Sequence, residues 1–315
     1  MKKKAIIFGL KGTKLTKNEK SFLKKEKPWG IILFSRNIKN IYQLKLLVQN
    51  IKKSVSDNKY PILIDQEGGR VSRLNKILDF SLYSQKYFGD IYKKNNKNFE
   101  HRYKIYIDRV SEILKKTGIN INTAPVLDVY RSGSHKIIGN RAYSEDPNVV
   151  KNIGNICIKL FEKNKIATVI KHIPGHGLSK TDSHFDLPVV KSKKKDLIKN
   201  DFFPFKNSNS QFSMTAHIIY SSYDPLNSAT HSKVIIKNII RKHMGYKGII
   251  ISDDISMKAL KFDLKNNAIK ALRAGCNLIL HCNGNLNEMK KLAKIIPTID
   301  KFTQKKTSQF YKFLR

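Results

Sequence analysis

Acidic residues are scarce in this chain of 315 residues: 24 Asp and Glu stand against 61 Lys and Arg, a formal charge of +37. Such an imbalance points first to polyanions. The lysines are nevertheless scattered among Asn and Ile, as in KKSVSDNKY, YKKNNKNF and KSKKKDLIKN, with no single basic arm and no nucleic-acid reader motif. They read as solvated helix faces, which leaves at most a non-specific, salt-sensitive attraction to nucleic acid. Cysteine is also sparse. Cys157, Cys276 and Cys282 are an odd number on mostly apolar stretches, which fits buried thiols in a reducing cytoplasm and not a disulfide framework. Gly and Pro, at 16 and 9, are too few for a collagenous or disordered chain, and 40% hydrophobic residues can sustain a large core. No apolar run is long enough to span a bilayer, so no membrane association is expected. The opening MKKKAIIFGLKGTK imitates a signal peptide, but its apolar run is short and meets Lys11 without a small-residue cleavage pattern.

What the chain does have is alternation. About eight apolar, β-branched runs recur: Ala5 to Leu10, Gly30 to Phe34, Pro61 to Ile64, Ile121 to Leu127, Ala167 to Ile170, Phe212 to Ala216, Gly248 to Ile251 and Asn277 to Leu280. Between them, helical spacing marks Asn18 to Lys25, Ile41 to Val55, Phe99 to Lys116, Pro147 to Lys163, Lys193 to Asn200, Ser232 to His243, Leu264 to Ala274 and Leu286 to Ile295. This pattern predicts an α/β fold, a single (β/α)8 TIM-type barrel that takes up residues 1–315 as one domain, with 301–315 a basic tail or helix. A doubly wound open sheet is the runner-up. It is disfavoured because no GxGxxG follows the first strand and because polar residues end nearly every strand, not one switch point.

Those strand ends carry the functional argument. In order they are Ser35-Arg36-Asn37, Asp65 to Arg70, Asp128, Lys171-His172, His217, Ser252-Asp253-Asp254 and His281-Cys282-Asn283. In a barrel they converge on one site. Within DQEGGRVSR, Asp65 can grip two sugar hydroxyls while Gly68 and Gly69 turn the backbone under a ligand and Arg73 adds donors; a glycine turn with structural ion pairs is the plainer reading. Arg141 is an anchor or an ordinary loop cation. In SDDISM the two aspartates, as strand neighbours, point to opposite sides, so Asp253 and Asp254 should not share a task; the plainer reading is that one of them caps the next helix.

The segment KHIPGHGLSKTDSHFDLP gathers His172, His176, Asp182 and His184. His172 and His176 stand four apart like zinc-protease histidines, but Pro174 and Gly175 break the helix such a metal site needs, and its glutamate is missing. No metal is expected. Asp182 two residues before His184 can hold Nδ1 and leave Nε2 to shuttle a proton, or it can simply make a local turn hydrogen bond.

Together, GIILFSRN, IDQEGGRVSRL, APVLDV, IGNRAYSEDP, KHIPGHGLSKTDSH, AHIIY, IISDDISM and AGCNLIL resemble, in order, the single-domain bacterial β-N-acetylglucosaminidases of glycoside hydrolase family 3, cytoplasmic enzymes of peptidoglycan recycling. The resemblance runs from about Gly30 to Leu280. It implies that Asp253 is the nucleophile, that His184 is the general acid/base with Asp182 as its partner, and that Asp65, Arg73, Arg141, Lys171 and His172 hold the terminal N-acetylglucosamine, with His217 lining the site. It implies a retaining hydrolase of small carbohydrates, N-acetylglucosaminyl-anhydro-N-acetylmuramic acid and muropeptides, that needs no cofactor. The chain is expected to act as a monomer. A glycoside phosphorylase using the same residues, and a catalytically silent polyanion-binding barrel, remain the alternatives.

Overall fold

A computed structural model of the chain describes residues 3–132, 138–178 and 187–315. Eight strands, β1 (Lys4–Gly9), β2 (Pro28–Leu33), β3 (Ile62–Ile64), β4 (Ile121–Asn122), β5 (Ala167–Ile173), β6 (Phe212–Thr215), β7 (Ile249–Asp254) and β8 (Leu278–His281), are all parallel and close on themselves in sequence order. The seam pairs β1 with β8 through Ile6 opposite Ile279 and Ile7 opposite Leu280. Parallel strands walled by helices are buried on both faces, which is why these segments read as continuous apolar runs and do not alternate. Every residue of β2, β3 and β5 is buried. The closed parallel barrel with helices outside is the TIM-type architecture expected from the alternation.

Helix starts are written locally. Thr16 and Glu19 form a capping box ahead of Lys17–Glu26, Asn40 caps Ile41–Val55, Asp146 precedes Pro147 at the start of Pro147–Lys163, and Asp300 opens Lys301–Phe313. That last helix resolves the tail-or-helix alternative at 301–315. Its Phe310 is fully buried and meets Trp29 and Phe212 edge-on or tilted, while Thr307 accepts a hydrogen bond from Trp29 Nε1 at 2.9 Å. Because Trp29 and Phe212 sit at the amino ends of β2 and β6, the helix closes the barrel at the end opposite the strands' carboxyl termini.

Three boundaries depart from expectation. β4 stops at Asn122, since Pro125 three residues on has no N–H to donate to a ladder. β5 and β7 run further, to Ile173 and Asp254, so Lys171, His172 and Asp253 stand on strands and not on the loops that follow them. The helix Gln85–Lys94 has no counterpart in the sequence reading: its Gly89 lowers helix propensity. Glycine is required there because a Cβ would lie 1.7 Å from the carbonyl oxygen of Tyr143. Among the described residues no helix is long and apolar enough to cross a membrane.

Candidate active site

Strands β2, β5, β6, β7 and β8 and the segments after β2, β3, β4, β5, β7 and β8 surround a cavity of about 390 Å³, lined by Asp65, Arg73, Arg141, Lys171, His172, His176, Asp253, Asp254, Met257 and Cys282 with apolar side chains that include Ile32, Met214 and Leu280. Three other cavities are larger, about 560, 660 and 470 Å³, but none collects charged groups from so many strand ends. Convergence of chemistry, not size, marks the active-site candidate.

One wall is an ion network. Lys171, almost fully buried, is hydrogen-bonded to Asp65 Oδ1, lies 2.6 Å from Glu67 Oε1 and donates to Thr123 Oγ1 at 3.3 Å. Arg141 grips Glu67 through both Nε and a terminal nitrogen, each 2.7 Å from a carboxylate oxygen, the planar fork that guanidinium makes best. Arg73 donates to Asp65 Oδ2 at 2.8 Å and Thr123 Oγ1 to Asp65 Oδ1 at 2.6 Å. Burial alone would raise the pKa of both carboxyls. For Asp65 the charges of Lys171 and Arg73 reverse this and hold it far below the carboxylate range; for Glu67 Arg141 and Lys171 bring it below its ordinary value. Arg141 is likewise held charged by Glu67 against its own desolvation. Asp65 thus presents a fixed carboxylate beside fixed cations, an arrangement suited to hydroxyl groups that both donate and accept.

Asp128 orients the histidines. Its Oδ2 lies 2.7 Å from His172 Nδ1, and its Oδ1 accepts from the backbone N–H of His172 and of His176, at 3.1 and 2.7 Å. His172 therefore carries its Nδ1 proton toward Asp128 and turns Nε2 toward Arg141, 3.5 Å away. Burial would raise the Asp128 pKa, but His172 lowers it below the ordinary value. His176 is pushed down to about 4, first by burial and then by the neighbouring His172, and so stays neutral at physiological pH.

Asp253 and Asp254 end β7 and divide their tasks, though not by facing opposite sides, since both line the cavity. Asp254 Oδ1 accepts from Ser256 N and Oγ at 3.0 and 2.8 Å and from Cys282 N at 3.2 Å, which ties the segment after β7 to the end of β8. Among the described residues, Asp253 Oδ1 accepts only from the N–H of Asp254, at 2.8 Å. Burial acts to raise its pKa, yet His217, His172 and that N–H bring it below the usual aspartate value. Asp253 is therefore an anionic, lightly engaged carboxylate facing the cavity.

His217 corrects an expectation. It is fully buried and does not line the cavity; Nε2 donates to the carbonyl of Asp254 at 3.0 Å, so Nδ1 accepts from Thr230 Oγ1 at 2.8 Å. It supports the backbone behind the two aspartates instead of touching a ligand. Asp65, Arg73, Arg141, Lys171, His172 and Asp253 are brought together as expected, whereas Asp182 and His184 lie outside the described residues. Sequence reasoning assigned no role to Glu67 or Thr123. Glu67 stood two residues from Asp65 within a quoted motif, but its partner Arg141 lies 74 positions away, and nothing local announces the pairing. Among the described residues no group of three His, Cys, Asp or Glu side chains can hold a metal ion.

Residues 3–309 match the family described as "Glycosyl hydrolase family 3 N terminal domain". The chain belongs to glycosyl hydrolase family 3. Two curated relatives share one name. The β-hexosaminidase of Thioalkalivibrio sulfidiphilus is 31% identical over 94% of this chain and 84% of its own length, and that of Psychromonas ingrahamii is 32% identical over 97% and 88%. The crystal structure of NagZ from Neisseria gonorrhoeae in complex with N-trifluoroacetyl-D-glucosamine superposes with a TM-score of 0.87 at 28% identity, covering 100% of this chain and 91% of that one. The family 3 chain is thus a glycoside hydrolase of the β-N-acetylhexosaminidase type, and its substrate is a small carbohydrate.

Proposed function

We propose that this family 3 hydrolase is a retaining exo-β-N-acetylglucosaminidase working through a covalent glycosyl-enzyme. The observation that carries the reading is the Asp253 carboxylate, charged, lightly hydrogen-bonded and open to a cavity whose other wall is the Asp65, Lys171, Arg141 and His172 network. A sugar held by that network through its hydroxyls offers its anomeric carbon to Asp253, which attacks as the glycosidic bond breaks. His184, kept in one tautomer by Asp182, gives its proton to the leaving oxygen. It then takes a proton from the water that displaces Asp253, so the sugar leaves with its configuration retained. Asp65, Arg73, Arg141, Lys171 and His172 hold the terminal N-acetylglucosamine in this scheme, with Asp128 and Glu67 fixing His172 and Arg141 in place. No cofactor takes part.

The natural substrate under this reading is N-acetylglucosaminyl-β-1,4-(1,6-anhydro)-N-acetylmuramic acid with or without its stem peptide, met in the cytoplasm during peptidoglycan recycling. Residues 1–315 act as one domain and one monomer. The NagZ relative bound to an N-acylated glucosamine supports the sugar assignment.

The test is turnover of an aryl β-N-acetylglucosaminide with and without phosphate, following the released anomer by NMR. Phosphate-independent release of the β-anomer is expected. Initial release of the α-anomer would overturn retention, and a phosphate-dependent sugar 1-phosphate would make the enzyme a phosphorylase.

A further inference from the structure

Behind Asp253 lie three polar side chains that the reaction just described does not use. Thr215, Thr230 and His217 are fully buried, and none of them lines the catalytic cavity. Thr215 ends β6, His217 follows it by two residues, and Thr230 returns to it from 15 positions further along the chain. The ladder between β6 and β7 ends with Met214 opposite Ile251, so beyond that point side chains must serve the backbone of β7 on this side. Thr215 Oγ1 accepts from the N–H of Asp253 at 3.3 Å, and His217 Nε2 donates to the carbonyl of Asp254 at 3.0 Å.

The directions of the remaining bonds follow from the groups themselves. A carbonyl only accepts, so neutral His217 carries its proton on Nε2 and its Nδ1 accepts. Thr230 Oγ1 lies 2.8 Å from Nδ1 and has one proton to give. The carbonyl of Ala216 competes for that proton at 3.2 Å, but Nδ1 is closer and has no other donor among the described residues. A buried acceptor left without a donor is costly, which favours Nδ1 further. Thr230 Oγ1 then accepts from Thr215 Oγ1 at 2.8 Å. Each hydroxyl thus donates once and accepts once. The ring runs from the N–H of Asp253 through Thr215, Thr230 and His217 back to the carbonyl of Asp254. Thr230 is itself anchored, its carbonyl accepting from Cys276 Sγ at 3.7 Å.

A chain of hydrogen bonds that ends on a peptide N–H and a peptide carbonyl carries no proton to or from the Asp253 carboxylate. What it does is hold backbone. The carboxylate takes its hydrogen bond from the N–H of Asp254, which belongs to the peptide joining the two aspartates. The peptides on either side of that one are the two that the ring grips. We infer that Thr215 and Thr230 are positioning residues which, through His217, fix the peptide planes around Asp253 and so aim its carboxylate at the anomeric carbon. The inference deepens the covalent mechanism proposed above and rests on Asp253 being its nucleophile.

The test joins kinetics with nitrogen NMR of the His217 ring. Thr230→Val keeps the branched shape of the side chain and removes only its hydroxyl; Thr230→Ser keeps the hydroxyl. On an aryl β-N-acetylglucosaminide, Thr230→Val is expected to lose about tenfold or more in kcat, since displacing a reacting group by about 1 Å can cost a hundredfold. KM should change little, because the groups that hold the sugar stand on the other wall. Thr230→Ser should recover most of the loss. An unchanged kcat in Thr230→Val, a loss that serine does not recover, or a loss carried by KM would overturn the assignment. Should Thr230→Val fail to fold, Thr215→Val breaks the ring at its other hydroxyl and is read by the same outcomes. In wild type, above the ordinary imidazole pKa of about 6.5, the His217 proton is expected on Nε2 with Nδ1 hydrogen-bonded; a proton on Nδ1 would overturn the ring. If a slow fluorinated donor leaves no adduct on wild-type Asp253, the nucleophile reading falls separately, and the His217 tautomer alone decides whether the ring stands.

Discussion

Glu67→Ala is the perturbation whose cost follows most directly from the structure. The Glu67 side chain is 1% exposed and holds two cations at once, Arg141 at 2.7 Å and Lys171 at 2.6 Å, which are themselves 10% and 2% exposed. Its removal takes a buried carboxylate away from both charges. Breaking a buried pair by deleting one partner costs about 3–5 kcal/mol, because the remaining charge has lost its compensation. Lys171 keeps Asp65 as a second partner after the change. Urea unfolding should show a lower midpoint at unchanged slope, with Glu67→Gln intermediate because an amide oxygen still accepts one hydrogen bond. The pH dependence carries a sign. The folded pKa of Glu67 is depressed, so its contribution is complete above the ordinary glutamate value of 4.5 and is lost as pH falls below it through the folded value. The stability gap between wild type and Glu67→Gln should accordingly be constant near neutrality and narrow below pH 4.5. A difference under about 1 kcal/mol at neutral pH, the scale of a surface pair, would refute the claim that this network is buried and tightly coupled.

Other substitutions separate roles that the geometry distinguishes. Asp253→Ala should lower kcat at least about 1,000-fold with the melting temperature little changed, as loss of a nucleophile does. Asp254→Ala should retain more activity but unfold earlier, since it unties Ser256 and Cys282. Phe310→Ala should cost about 3–5 kcal/mol in denaturant stability by opening a cavity under Trp29 and Phe212, while kcat stays near wild type because the helix lies at the opposite end of the barrel. In Asp128→Asn, His172 loses its carboxylate partner, and KM should rise more than kcat falls if His172 binds substrate and takes no part in proton transfer.

The fold was legible because each level of the sequence agreed. About eight largely apolar runs can be satisfied only where both faces are covered, and helical spacing marked the segments between them. Gln85–Lys94 was not legible because Gly89 is chosen for its close contact with Tyr143, a tertiary demand that local propensity does not record. Within the site, polar residues at strand ends pointed to the cavity, and Asp65, Lys171, His172 and Asp253 meet there. His217 misled for the same reason that made it conspicuous: a histidine just beyond a strand can face either the cavity or the backbone behind it, and its hydrogen bonds to Thr230 and Asp254 decide for the second. The pairing of Glu67 with Arg141 follows from β3 and β4 lying side by side and was invisible along the chain.

The central claim, a covalent intermediate on Asp253, is met most directly by trapping it. Wild-type enzyme is treated with a slow fluorinated N-acetylglucosaminyl donor, digested, and its peptides are weighed by mass spectrometry. The account predicts a single sugar adduct on the peptide containing Asp253, absent in Asp253→Ala. An adduct on a different residue, or turnover of the donor with inversion and no adduct, would contradict it.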